Sequence, residues 1–98
     1  MTELREQYRK PVLVDEVGYE GNVTWGWGNL TAQEEVRRFW EGCLRGGYVT
    51  HGETYVDRGP KIWWAHGGKL YGESPERIAF CRAFMESLPE DMDLVPYD

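Results

Sequence analysis

The residue best placed to do chemistry in this sequence is Glu16. It closes the run Lys10-Pro11-Val12-Leu13-Val14-Asp15-Glu16, just before a loop rich in glycine and aromatic side chains. A proline followed by three aliphatic residues reads as a buried parallel strand over residues 11–17. Alternation then sets Val12, Val14 and Glu16 on one face and Leu13 and Asp15 on the other. Such a strand delivers a carboxylate at its C-terminal edge, where parallel sheets and barrels gather ligands and catalysis. The plainer alternative is a strand-end glutamate that simply faces water.

A second group lies in residues 48–55, which read as another strand. Val49, His51 and Glu53 share a face there, and Glu53 is expected beside Glu16 on the neighbouring strand, about 4.8 Å away. Two carboxylates and an imidazole so placed can form an acid/base pair tuned by a histidine. They can equally form a buried His–Glu hydrogen bond, or contact a substrate, the role favoured here for His51 and Glu53.

The loop after Glu16 adds flat and amide side chains: Tyr19, Asn22, Trp25, Trp27 and Asn29. Trp63 and Trp64 follow the second strand. Aromatic rings beside glycines can stack on the apolar face of a sugar while amides and phenols bond its hydroxyls. Tyr19, Trp25, Trp27 and Trp64 are therefore candidate substrate-binding residues. The alternative is that the tryptophans merely roof the sheet, and Trp40, on a helix stripe, belongs to the core.

The elements that must position these residues alternate between helix and strand. Residues 2–9 read as the last turns of a charged helix. Thr31 and Glu34 form a capping box that opens a second helix, with Val36, Phe39, Trp40, Cys43 and Leu44 as its apolar stripe. Gly46 and Gly47 end it. Residues 62–71 suggest a small hairpin around His66-Gly67-Gly68. Ser74 and Pro75 open a third helix, with Ile78, Cys81, Phe84, Met85 and Leu88 on one face. Two strand–loop–helix units in series imply parallel strands and an α/β fold. The expected division is a domain over residues 1–88 and an acidic tail or linker over residues 89–98. A full barrel of such units needs roughly 250 residues, so this chain holds about a quarter of one.

Composition excludes several classes. With 98 residues the chain is one domain at most, and 41% hydrophobic residues are enough for it to fold. Seventeen acidic against 11 basic residues leave a net charge of −6, the wrong sign for a nucleic-acid groove or an anionic membrane surface. No stretch approaches a membrane span of about 20 apolar residues. The N-terminus is charged and lacks the apolar core of a signal peptide, so a cytoplasmic location is expected. Cys43 and Cys81 read as buried free thiols. His51 and His66 match no metal-ligand spacing, and neither metal nor cofactor is expected.

The string from Lys10 to Gly21 resembles the seventh-strand motif of an apiosidase-like group of bacterial glycoside hydrolases with (β/α)8 barrel domains. The resemblance continues through Arg38-Phe39-Trp40, Gly46-Gly47-Tyr48, Thr50-His51-Gly52-Glu53-Thr54 and Gly67-Gly68-Lys69-Leu70-Tyr71-Gly72-Glu73-Ser74-Pro75. It implies the last two strand–helix units of a TIM barrel. It also implies a retaining mechanism in which Glu16 holds the nucleophile position and the general acid/base comes from a fourth strand that has no match here. A retaining pair stands about 5 Å apart, so the chain alone is expected to be inactive. The competing reading is a non-catalytic module that binds carbohydrate or self-assembles into an oligomer.

Overall fold

The computed structural model describes residues 1–56 and 69–96. It is an α/β fold of short parallel strands and helices. In chain order the elements are α1 (Thr2–Tyr8), β1 (Leu13–Val14), β2 (Glu20–Gly21), a 3₁₀ turn (Gly26–Gly28), α2 (Ala32–Leu44), β3 (Tyr48–Val49), β4 (Glu53–Thr54) and α3 (Ser74–Glu86). Most of the expected hairpin, with Trp63, Trp64 and His66, lies outside the described residues.

The first expected strand is shortened to β1, with β2 forming in the segment expected to be a loop, and the second is split into β3 and β4. β1 pairs in parallel with β3, Leu13 opposite Tyr48 and Val14 opposite Val49. β2 pairs in parallel with β4, Glu20 opposite Glu53 and Gly21 opposite Thr54. Between the pairs, five residues (15–19) face only three (50–52). The two extra residues bulge out of the ladder at Gly18, whose φ of +101° is open to glycine and strained for other residues. The expected neighbour of Glu16 is thereby corrected: Glu53 pairs with Glu20, and Glu16 stands on the bulge.

α2 begins as its sequence requires, with the Glu34 amide donating to the Thr31 hydroxyl at 3.1 Å. The Glu34 carboxylate does not complete the capping box but takes Arg37 and Arg38 instead, at 2.8 and 2.9 Å. α2 packs on α3 through Trp40 and Phe84, whose ring centroids are 5.7 Å apart. The free thiols Cys43 and Cys81 meet there too. Burial, with Cys43 beside it, pushes Cys81 up to about 11, so it stays a neutral thiol at ordinary pH. The expected stripe on α2 is only half-buried, and its fully covered positions are Ala32, Glu35 and Gly42.

The interior is polar. The largest fully buried side chains are Glu20, Glu35, Thr54, Cys81 and Ser74, whereas Leu13, Tyr48, Phe80 and Phe84 are exposed. Among the described residues no helix is long and apolar enough to cross a membrane.

The bulge yields a direct test. A Cβ on Gly18 would sit 2.7 Å from Leu30 Cδ1 and 3.0 Å from Arg38 Nη1, in a backbone conformation that alanine resists. Gly18→Ala is expected to destabilise the chain by about 1–3 kcal/mol, read from urea unfolding midpoints.

Candidate functional site

Four glutamates gather where the strands end, and their surroundings separate them. Glu20, at the start of β2, is 1% exposed. Its carboxylate accepts the amides of Glu73 and Ser74 at 3.0 and 2.9 Å and the Tyr55 hydroxyl. Burial alone would raise its pKa. The hydroxyls of Ser74 and Tyr55 and the two amides outweigh that and hold it below the usual carboxylate range.

Glu35 projects from α2 and is 0% exposed. It accepts the backbone amides of Glu20 at 2.6 Å and Gly52 at 3.3 Å, tying the two strand ends together. Burial dominates here and pushes its pKa up, against the pull of the Gly52 amide and of His51. Glu53 spends its two oxygens on the amides of Tyr71 and Gly72, at 2.8 and 2.9 Å.

Glu16 differs from these three: its side chain is exposed to solvent. Burial raises the pKa of Tyr19, and the nearby negative charges of Glu16 and then Glu35 raise it further. The Tyr19 ring lies against Gly52, where an added Cβ would collide with ring carbons Cδ1 and Cε1. Trp27 meets that ring edge-on, with centroids 6.0 Å apart and planes at 85°. Trp25 stacks on Trp27 at 5.7 Å and 7°.

The two indoles are 59% and 46% exposed, yet the loop carrying them is fastened from within. The Tyr19 amide donates to Trp27 O at 2.8 Å, and Leu30 N to Tyr19 O at 3.0 Å. The Thr54 hydroxyl donates to Gly28 O at 2.6 Å. An exposed pair of aromatic rings on a fixed backbone is a ready surface for an apolar ligand face.

His51 is half-buried, with Nε2 3.0 Å from Ser74 Oγ. The structure therefore brings together Glu16, Tyr19, Trp25 and Trp27, and turns the known polar contacts of His51 and Glu53 inward. Trp64 lies outside the described residues. Among the described residues no three His, Cys, Asp or Glu side chains converge to hold a metal.

Sequence reasoning passed over Glu20, Glu35 and the tertiary role of Ser74. A signal for Glu35 existed: it falls at helical spacing between Ala32 and Gly42, on the covered side of α2. Glu20 offered none, since its carboxylate partners lie 35 to 54 residues away.

An open end of parallel strands, bearing an exposed carboxylate and a stacked aromatic pair, is the candidate site of this α/β segment. Among solved structures, the chain matches a candidate glycoside hydrolase from Bacteroides vulgatus ATCC 8482 with a TM-score of 0.82 and 45% identity. The match covers 95% of this chain and 20% of that one, so the chain spans about a fifth of the length of its neighbour. No protein-family model matches the chain, and no curated protein does. The similarity supports a relation to glycoside hydrolases.

The two buried carboxylates make opposite predictions. The folded pKa of Glu20 is depressed, so its contribution is complete above the ordinary carboxylate range and is lost as pH falls through the folded value. The folded pKa of Glu35 is raised, so its contribution is complete below that range and is lost as pH rises through the folded value. Glu20→Gln is expected to cost about 2–4 kcal/mol near neutral pH, with the deficit shrinking on acidification. The deficit of Glu35→Gln should instead grow as pH falls from about 7 to about 4.5. Guanidinium unfolding across that range separates the two.

Proposed function

We propose that this chain forms the last two β/α units of a (β/α)8 glycoside hydrolase domain of the apiosidase-like type, with Glu16 as nucleophile. The observation that carries the reading is the match at 45% identity to a candidate glycoside hydrolase of which this chain spans a fifth. The site supports it: Glu20, Glu35 and Glu53 accept backbone amides, while Glu16 is exposed on the bulge at the sheet end. In the assembled barrel Glu16 attacks the anomeric carbon as a second carboxylic acid protonates the departing oxygen. The glycosyl–enzyme bond is then hydrolysed with that second group acting as base. The acid comes from outside these 98 residues. Carbohydrate rests on Trp25 and Trp27, Tyr19 flanks it, and His51 and Glu53 shape the floor beneath it; Trp64 is proposed from the sequence alone as a further contact.

The test is a chimera in which this chain replaces the matching fifth of the Bacteroides neighbour, assayed on a panel of 4-nitrophenyl glycosides. Glu16→Ala should lower turnover by about 10³-fold or more while leaving the unfolding midpoint in place. Substantial residual hydrolysis removes Glu16 from the nucleophile role. The isolated chain should turn over none of these glycosides. Any binding of oligosaccharides to its aromatic loop should be weak, in the millimolar range or about 4 kcal/mol, and lost in Trp25→Ala by tryptophan fluorescence titration.

A second reading, a self-assembling module, draws on the exposed Leu13, Tyr48, Phe80 and Phe84 and on the open edges of both strand pairs. Leaving large apolar side chains in water costs about 1.5–3 kcal/mol each, which association between copies would relieve. Sedimentation of the isolated chain at micromolar concentration should show a species heavier than 11.4 kDa. A compact monomer would leave this reading without support.

A further inference from the structure

We propose that Thr50 and Arg38 are positioning residues for Glu16, holding the backbone on either side of it and so setting where its carboxylate stands. The inference rests on the reading of Glu16 as nucleophile and assigns the groups that place it. The Thr50 hydroxyl donates to Asp15 O, one residue before Glu16. Arg38 Nη1 donates to Val17 O, one residue after it. Each donor is fixed in its turn. The Thr50 amide donates to Val14 O at 3.2 Å, carrying the ladder one step beyond β3. Arg38 projects from α2, where its Nε donates to the Glu34 carboxylate at 2.9 Å. Glu34 is bound to the helix start through its own amide, on the Thr31 hydroxyl. The Glu16 segment is therefore clamped between the sheet on one side and α2 on the other.

The bulge makes such a clamp necessary. Residues 15–19 outnumber residues 50–52 opposite them, so the regular ladder cannot supply every carbonyl there with a donor. Thr50 and Arg38 supply two of them by side chain. Gly18 takes part through what it lacks: a Cβ there would come within 3.0 Å of Arg38 Nη1, the atom that reaches Val17 O. A nucleophile displaced by about 1 Å can lose on the order of 100-fold in rate. The guanidinium is a rigid fork that serves Glu34 and Val17 O at once, whereas a lysine offers a single nitrogen. Because both donors act on carbonyls, neither occupies an oxygen of the Glu16 carboxylate.

Two experiments test the proposal. In the isolated chain, backbone carbonyl ¹³C resonances read the two contacts directly. Thr50→Val, which replaces the hydroxyl by a methyl group, should move the Asp15 signal, and Arg38→Gln that of Val17. Unmoved signals mean the contacts are absent and overturn the proposal. In the chimera, both variants should lower kcat about 10–100-fold with KM little changed. Thr50→Ser, which keeps the hydroxyl, should restore kcat. Arg38→Lys should recover the unfolding midpoint lost in Arg38→Gln, but not kcat. If kcat instead follows the unfolding midpoint through the series, both residues are merely structural and the proposal is overturned. Unchanged kcat overturns it as well, provided Glu16→Ala is inactive in the same chimera. If Glu16→Ala stays active, the nucleophile reading falls, and this inference falls with it.

Discussion

A carboxylate taken out of water costs several kcal/mol unless donors replace the hydration it loses. Glu20 is almost wholly buried, and its donors come from two distant places: Tyr55, just beyond β4, and the Glu73 and Ser74 amides that open α3. Those amides are among the orphan donors that every helix start must satisfy, and the positive end of the helix dipole favours an anion there. α3 has no side-chain cap of its own; Glu20 is its cap, supplied across the fold. One side chain therefore fixes where α3 begins relative to β2 and β4. The packing of Phe84 on Trp40 and of Cys81 against Cys43 follows from that placement.

The same residue type meets four fates within one small region. Glu20 caps a helix, Glu35 bridges two strand ends, and Glu53 fastens the segment that leads into α3. Each is held by backbone amides, which are fixed donors and leave a carboxylate little freedom to move or to react. Glu16 escapes because the bulge at Gly18 lifts it from the ladder before such amides reach it. The scaffold carboxylates thus spend themselves on the backbone and leave Glu16 exposed at the sheet end.

Much of this organisation was legible in the sequence, for physical reasons that differ by element. The parallel strands followed from Val12-Leu13-Val14 and the Thr31 cap from its spacing to Glu34, both local patterns. The register was misjudged because two surplus residues around Gly18 offset one strand against the other, and a positive-φ glycine reads in sequence like any loop glycine. Glu53 was correctly placed on a strand, yet given the wrong neighbour for that reason. Glu35 was missed because a glutamate among charged helix residues resembles a solvated one, and its partners are backbone groups 15 and 17 positions away. Ser74 was recognised as a helix-start residue, but its bond to His51 is a tertiary fact.

Among the described residues polarity is distributed in reverse of an ordinary small domain, with carboxylates and hydroxyls buried and Leu13, Tyr48, Phe80 and Phe84 exposed. The two halves of that pattern have different physics. Hydrogen bonds are directional and short-ranged, so the groups shaping a strand-end site must be satisfied close by, and here they are satisfied within the chain. Apolar burial has no direction and asks only that water be excluded; any neighbouring surface of suitable shape can provide it. A segment that spans a fifth of its structural neighbour can therefore carry a complete polar framework for one part of a site while its apolar faces await cover. On the proposed reading, this segment sets the site's geometry, and the rest of the barrel packing on its apolar faces supplies its stability.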